Sequence, residues 1–236
     1  MRLRTINLIA LLIFSLKLVA QQGNSDRKEQ TVKDADGNLY HTVTIGTQVW
    51  MTENLKSTKY NDSTPIPLVT DPKDWNSLYT PGYCWYNNNE AASKKTYGAI
   101  YNWYTVNTTK LCPEGWHVPA DSEFGKLTTL MGIAQRSNTI DPGGKTEADG
   151  TAFWINPDGT FNQSGFVSLS GGSRNYDGSF SKSGSFCHWW ASAEWNQCSV
   201  WGRFLKYGHG AVNSYVAMRD GYSVRCITNV SAKETK

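Results

Sequence analysis

The sequence predicts an α+β fold from three observations. Helical apolar spacing is confined to two segments in the first 132 residues. Beyond them, Gly-Gly and Asp-Gly pairs punctuate short segments rich in β-formers. Strands and helices do not alternate as they would in a parallel sheet with crossover helices. The 236 residues suit one domain or two small ones, and the absence of an internal linker or repeat favours a single domain over 32–228. A chain of this size buries roughly 70–75% of its unfolded surface. Its filling is aromatic, with 10 Trp, 12 Tyr and 8 Phe.

The elements follow in chain order. Arg2 and Arg4 precede an apolar run, Ile6 to Leu16, broken by Asn7 and Ser15, and Leu18-Val19-Ala20 offers a small residue before a cut ahead of Gln21. Residues 1–20 therefore read as a cleavable secretory signal, too short and too interrupted by Lys17 for a membrane-spanning helix of ~20 apolar residues. No Cys follows the cut, so the lipid-attachment pattern is missing. Residues 21–31 form a polar tether. Asp34 to Asn38 is a turn, and Leu39–Ile45, Gly46-Thr47 and Gln48–Met51 spell a β-hairpin. Asn61 to Tyr79, with Pro65, Pro67 and Pro72, reads as a long surface loop, and Tyr83 to Tyr86 as a short strand. Tyr97, Ile100, Tyr101 and Tyr104 predict a helix over Thr96–Val106. Phe124, Leu127, Leu130 and Met131 predict a second helix from about Asp121, stopped by Gly132. Gly143-Gly144, Asp158-Gly159, Gly171-Gly172 and Asp177-Gly178 then separate short strands such as Gly165–Leu169. Tyr222–Ile227 is the closing strand, and 229–236 a flexible tail.

Charge narrows the function classes. The 23 basic residues exceed the 20 acidic ones only through Arg2, Arg4 and Lys17, so the exported chain is neutral. A nucleic-acid binder carries a basic surplus to neutralise phosphates, and this chain has none after its leader. Five cysteines, Cys84, Cys112, Cys187, Cys198 and Cys226, suit an oxidising compartment, and none shows C-x-x-C spacing. They allow fifteen ways to form two bridges. One reading pairs Cys112 with Cys226 and Cys187 with Cys198. Cys84 is then either the odd thiol or a small buried apolar residue.

Asp36-Gly-Asn38, Trp50-Met-Thr-Glu-Asn-Leu55, Tyr83-Cys-Trp-Tyr-Asn-Asn88 and Tyr97-Gly-Ala-Ile-Tyr-Asn-Trp-Tyr104 occur in order. Leu111-Cys-Pro-Glu-Gly-Trp-His-Val-Pro119, Gly143-Gly-Lys145, Trp189-Trp-Ala-Ser192 and Gly221-Tyr-Ser-Val-Arg-Cys226 follow them. Together these resemble the Fibrobacter succinogenes major paralogous domain across nearly the whole exported chain. The resemblance implies an exported protein with a fold similar to C-type lectins and formylglycine-generating enzymes: a twisted antiparallel sheet, two helices and long irregular loops. It also implies that a Cys112–Cys226 bridge ties the chain near the second helix to the last strand, while the Cys187–Cys198 pair falls outside the family pattern. Ala120 stands where the family often has a capping Thr, which leaves Asp121 or Ser122 to cap the second helix.

The chemistry-bearing patterns are sparse. Formylglycine-type catalysis needs two close reactive cysteines, and the sequence around Cys187 and Cys198 does not match that motif. The lectin calcium triplets are absent, with Glu194-Trp-Asn196 the nearest echo. Oxygens of Asp177, Glu194 and Asn196, or of the Asp34, Asp36 and Asn38 turn, could supply part of a Ca²⁺ shell of six to eight ligands, and no metal ligand is assigned. Ser179-Phe-Ser-Lys182 satisfies S-x-x-K without its K-T-G partner. His41, His117, His188 and His209 show no metal spacing. Trp50, Trp85, Trp103, Trp116 and Trp189 are expected in the core. Trp195, Trp201, Arg203, Tyr207 and Arg219, in a Gly/Ser/Asn-rich stretch, are the candidate ligand contacts. The expectation is an exported, non-catalytic, secreted or cell-surface module that binds glycan or glycoprotein. The alternatives are a cell-envelope interaction module and an enzyme of the formylglycine-generating type.

Overall fold

The computed structural model describes residues 30–130, 135–136, 171–181, 186–194, 199–206 and 210–230. The expected leader over 1–20, Met131, Gly132, the expected Gly143-Gly144 and Asp158-Gly159 turns and the expected Gly165–Leu169 strand lie outside them. Contacts divide the chain into Met1–Gln30, of which Gln30 alone is described, and Thr31–Lys236.

Thr31–Lys33 (β1) and Leu39–Ile45 (β2) pair antiparallel. The turn between them is closed by Asp34, whose Oδ1 accepts from the Asp36 and Asn38 amides at 3.0 and 2.9 Å, while Tyr40 Oη donates to Oδ2 at 2.6 Å. Asp36 in turn accepts from the Ser57 and Thr58 hydroxyls. The carboxylates of this acidic turn are thus committed to building it. The expected hairpin follows: Gln48–Met51 (β3) pairs with β2, Ile45 opposite Gln48, and Gly46 opens the two-residue turn at φ +62°.

The expected loop over 61–79 contains a short helix, Pro72–Asn76 (α1). Asp71 caps it, accepting from the Lys73 and Asp74 amides at 2.7 and 3.2 Å, and Pro72 occupies a first-turn position that needs no amide. Tyr83–Cys84 (β4) and Glu90–Ser93 (α2), capped by Asn89, come next.

The helix expected over Thr96–Val106 is a strand, Ile100–Asn102 (β5), running into one helical turn, Trp103–Val106 (α3). Two causes override the apolar spacing. Ala99 through Trp103 are all buried, so the segment is covered on every side and has no solvent face for a one-sided helix. Gly98 sits at φ +76° against the Leu55 carbonyl, where an added Cβ would approach to 2.7 Å, and this interrupts helical geometry. Asn102 Oδ1 then accepts from the Thr105 amide at 3.1 Å and starts α3.

Asp121–Leu130 (α4) is the second expected helix and buries Phe124, Leu127 and Thr128. Leu130, counted on its apolar face, is instead 59% exposed. Asp121 and Ser122 stand inside its first turn rather than ahead of it. Ala120 precedes the first turn, its amide donating to Glu123 Oε2 at 2.8 Å, which is one half of a capping box.

Gln135–Arg136 (β6), Ser173–Arg174 (β7), Phe180–Ser181 (β8), Phe186–Glu194 (β9), Ser199–Lys206 (β10), Gly210–Ala217 (β11), Gly221–Tyr222 (β12) and Ile227–Asn229 (β13) complete the described elements. The expected closing strand is split. β12 joins the sheet β4-β5-β12-β7-β8, and β13 joins β1-β2-β3-β13. The third sheet is β6-β11-β10-β9, and the β11–β6 pair is the parallel one. The result is an α+β domain built mainly of antiparallel sheet.

Cys112 and Cys226 form a disulfide with Cα atoms 5.9 Å apart and a sequence separation of 114. A loop that long constrains the unfolded chain by roughly 4–5 kcal/mol in the entropy model. The Cys187–Cys198 bridge does not form, and Cys187 is a free buried thiol. The β9–β10 hairpin explains this. Cys187 lies opposite Leu205, at the end of β9 away from the connection to β10. Glu194, at the other end, is already about 23 Å away at ~3.3 Å per residue, and Cys198 immediately precedes β10. Cys198 itself lies outside the described residues.

Candidate functional site

Of the five candidate ligand contacts, the side chains of Arg203 and Arg219 are described, and these two stand in different surroundings. Trp195 and Tyr207 lie outside the described residues. Trp201 stands in β10 opposite Tyr215. Arg203 is no surface contact: it is 4% exposed, its Nε lies 3.0 Å from Asp121 Oδ1, and its Nη2 donates to the Asp121 carbonyl at 2.9 Å. The side chain is held against the start of α4 rather than in solvent. Among the expected core residues, Trp50, Trp85, Trp103 and Trp189 are buried, while Trp116 is half-buried against the main cluster.

Arg219 alone of the five combines a described side chain with solvent access, and a site assembles around it. Its guanidinium carbon stands 4.9 Å from the Tyr79 ring centroid and 5.8 Å from that of Tyr176. Tyr79 is 64% exposed and Tyr176 53% exposed. Arg219 Nη1 donates to the Asn76 carbonyl, with Asn76 Oδ1 at 3.3 Å. Its own carbonyl accepts from Trp75 Nε1 at 2.9 Å. The half-buried Tyr104 ring meets Tyr79 edge-on at 6.4 Å. These residues form an aromatic–arginine shelf.

Three segments far apart in sequence bring the shelf together, and a buried arginine joins two of them. Arg174, in β7, has no exposed surface. It donates from Nε to the Gly178 carbonyl at 3.1 Å, from Nη1 to Val69 at 2.7 Å and from Nη2 to Thr70 at 2.9 Å. The same guanidinium lies 4.5 Å over Trp75 and 4.9 Å over Phe180. It thereby locks the chain entering α1 to the turn that carries Tyr176. Gly178 makes the approach close enough: at φ +86°, a Cβ there would meet the Pro72 carbonyl at 2.5 Å.

Asp220 fixes the third segment. It accepts from the Tyr176 amide at 2.8 Å, the Ala217 amide at 3.0 Å and Tyr222 Oη at 3.2 Å. Burial, partly offset by these bonds, raises its carboxyl pKa above the ordinary value. Behind it the His188 ring meets Tyr222 edge-on at 5.2 Å, and burial lowers the imidazole pKa to about 4.

The remaining chemistry is quiet. Burial pushes the Cys84 and Cys187 thiols up to about 12, so neither is a thiolate near neutrality. Asp177 is exposed, and its Oδ1 accepts from the Ser179 amide and hydroxyl. Among the described residues no three His, Cys, Asp or Glu side chains gather to hold a metal, and no helix is long and apolar enough to cross a membrane.

Tyr79, Tyr176 and Asn76 were not among the sequence candidates. Their signal was present but local: each sits beside a turn-former, in Pro72 to Tyr79 and in Asn175-Tyr-Asp-Gly178. Comparison with curated proteins and with solved structures returns no match. The family model described as the Fibrobacter succinogenes major domain matches residues 43–228, most of the chain, and the protein belongs to that family.

Proposed function

We propose that this protein is an exported, non-catalytic binding module that holds glycan or glycoprotein on the Tyr79–Arg219–Tyr176 shelf of a C-type lectin-like fold. One observation carries the reading: two exposed tyrosine rings share one guanidinium on a surface fixed by buried contacts. Flat aromatic faces stack on the C–H faces of pyranose rings. Arg219 and Asn76 offer donors and an acceptor for hydroxyls at the same edge. The cation–π contacts hold the rings before ligand arrives, which reduces the ordering cost of binding.

Other features support the parts of this reading. A basic then apolar leader and a Cys112–Cys226 disulfide agree with export to an oxidising compartment. A formylglycine-type mechanism needs accessible, activated thiols, and the burial of Cys187 speaks against it. The test is affinity electrophoresis of the chain lacking residues 1–20 through gels containing neutral polysaccharides. Retardation that disappears in Tyr79→Ala/Tyr176→Ala supports the shelf. No retardation by any polysaccharide, or equal retardation of the variant, overturns it.

A further inference from the structure

A second concave surface lies beside α2. A cleft of about 560 Å³ is lined by Asn38, Lys56, Glu90, Ala91, Lys94 and Lys95. Three of these six residues are cationic and one is anionic. Lys94 Nζ bonds Glu90 Oε1 at 2.8 Å, which cancels one positive charge. Lys56 and Lys95 have no carboxylate partner among the described residues. Elsewhere in the domain Lys59 pairs with Asp36, Lys110 with Asp62 and Arg203 with Asp121. Positive charge without a carboxylate partner thus gathers on one shallow, solvent-open face, where Lys56 and Lys95 reinforce one another's field.

Two of the ammonium groups are also positioned. Lys56 Nζ stands 5.2 Å from the centroid of the buried Tyr40 ring, and Lys94 Nζ stands 5.4 Å from that of the buried Trp85 ring. Lysines on a free surface sweep many rotamers. Here the stems rest on aromatic faces and lose less freedom when an anion arrives. Asn38 is held by its side-chain amide on Asp34 Oδ2 at 2.8 Å, so this wall of the cleft is fixed as well.

We infer that this cleft is an anion subsite that takes the carboxylate or sulfate substituents of an acidic polysaccharide. The inference rests on the glycan reading only for the carrier of the charge. The cleft itself requires an anionic group, which the tyrosine shelf does not. Uronate and sulfate ester share the recognition chemistry, charge-assisted hydrogen bonds from ammonium donors to anionic oxygens.

The chain lacking residues 1–20 is run through gels containing polygalacturonate, dextran sulfate or neutral dextran at several salt concentrations. The expected result is retardation by at least one polyanion that weakens as salt rises and falls about tenfold in Lys56→Gln/Lys95→Gln. The variant keeps the first two methylenes of each stem and a polar tip, and should match the wild-type melting temperature. Retardation by polygalacturonate alone assigns carboxylate, and by dextran sulfate alone assigns sulfate ester. Tyr79→Ala/Tyr176→Ala should retain the salt-sensitive component. Polyanion binding with no binding of any neutral glycan supports the cleft while overturning the shelf. No polyanion binding, or an equal loss in the control Lys73→Gln/Lys126→Gln, overturns the cleft.

Discussion

The β9–β10 hairpin and the shelf are both rich in aromatic and arginine side chains, yet they use them in opposite ways. In the hairpin, Trp189 and Trp190 are wholly buried. Trp190 Nε1 donates to the Tyr101 carbonyl at 2.7 Å, and its ring meets Trp103 at 5.6 Å and Tyr222 at 4.8 Å. Arg203 there is sealed against Asp121. On the shelf, Tyr79 and Tyr176 stay open and Arg219 stands over both. The difference lies in the backbone beneath. Trp189 and Trp190 lie in β9, at the edge of its sheet, and are covered by Phe124 on one side and by Tyr101, Trp103 and Tyr222 on the other, so these large rings become packing. A turn braced from below by Arg174 and Gly178 holds its rings outward. Composition alone does not separate the two cases.

The contrast sharpens through substitutions ranked by expected effect. Trp190→Ala should lower stability by about 3–5 kcal/mol, the cost of emptying a large buried site, read from the denaturant midpoint. A loss below about 1 kcal/mol would break the claim that the hairpin aromatics are structural. Arg174→Met should cost about 3 kcal/mol, because three carbonyls lose charged donors in the interior. It should also abolish shelf binding at temperatures where the variant remains folded. If binding survived intact, Arg174 would not be what holds the two loops together.

His188 gives a pH signature to the region behind the shelf. Its folded pKa, about 4, lies below the ordinary 6.5, so between those values the unfolded chain binds more protons. Stability is fully present above pH 6.5 and falls as pH drops through 6.5 toward 4, by up to ~3 kcal/mol at 1.4 kcal/mol per unit. Asp220, with its raised carboxyl pKa, contributes in the opposite sense: it favours the fold at low pH and loses that contribution as pH rises through its folded value. Urea titrations at pH 7 and 4.5 on wild type and His188→Phe separate the two. The variant should flatten the acid-side decline, and an unchanged slope would rule out His188 as its source. The smallest stability effect belongs to Tyr79→Ala, within about 0.5 kcal/mol for an exposed side chain, alongside loss of glycan retention.

The parts of this molecule legible in its sequence are those set by short-range chemistry. Gly46-Thr47 between two β-rich runs announced its hairpin, and Asp34 to Asn38 its turn. Phe124 and Leu127 marked α4, whose far side does meet solvent. The segment 96–106 misled because its apolar residues sit at helical spacing while Ala99 through Trp103 are buried without a break. Arg203 misled because nothing local reveals that its strand lies inside a sheet opposite Asp121. The shelf was half visible, through Arg219. Tyr79 and Tyr176 are about a hundred residues apart and share Arg219 through long-range contacts without a sequence motif: Arg174 bonds carbonyls on both loops, and Asp220 holds the Tyr176 amide. The split of the last strand between two sheets is likewise decided by partners, Asn102 and Arg174 for Gly221 and Trp50 for Ile227, rather than by its own residues.

The most direct measurement compares wild type with Tyr79→Ala/Tyr176→Ala by isothermal titration against whichever neutral glycan retards the protein in gels, after showing that their melting temperatures agree. The shelf account expects saturable heat for wild type and none for the variant. Equal affinities in the two proteins would contradict it.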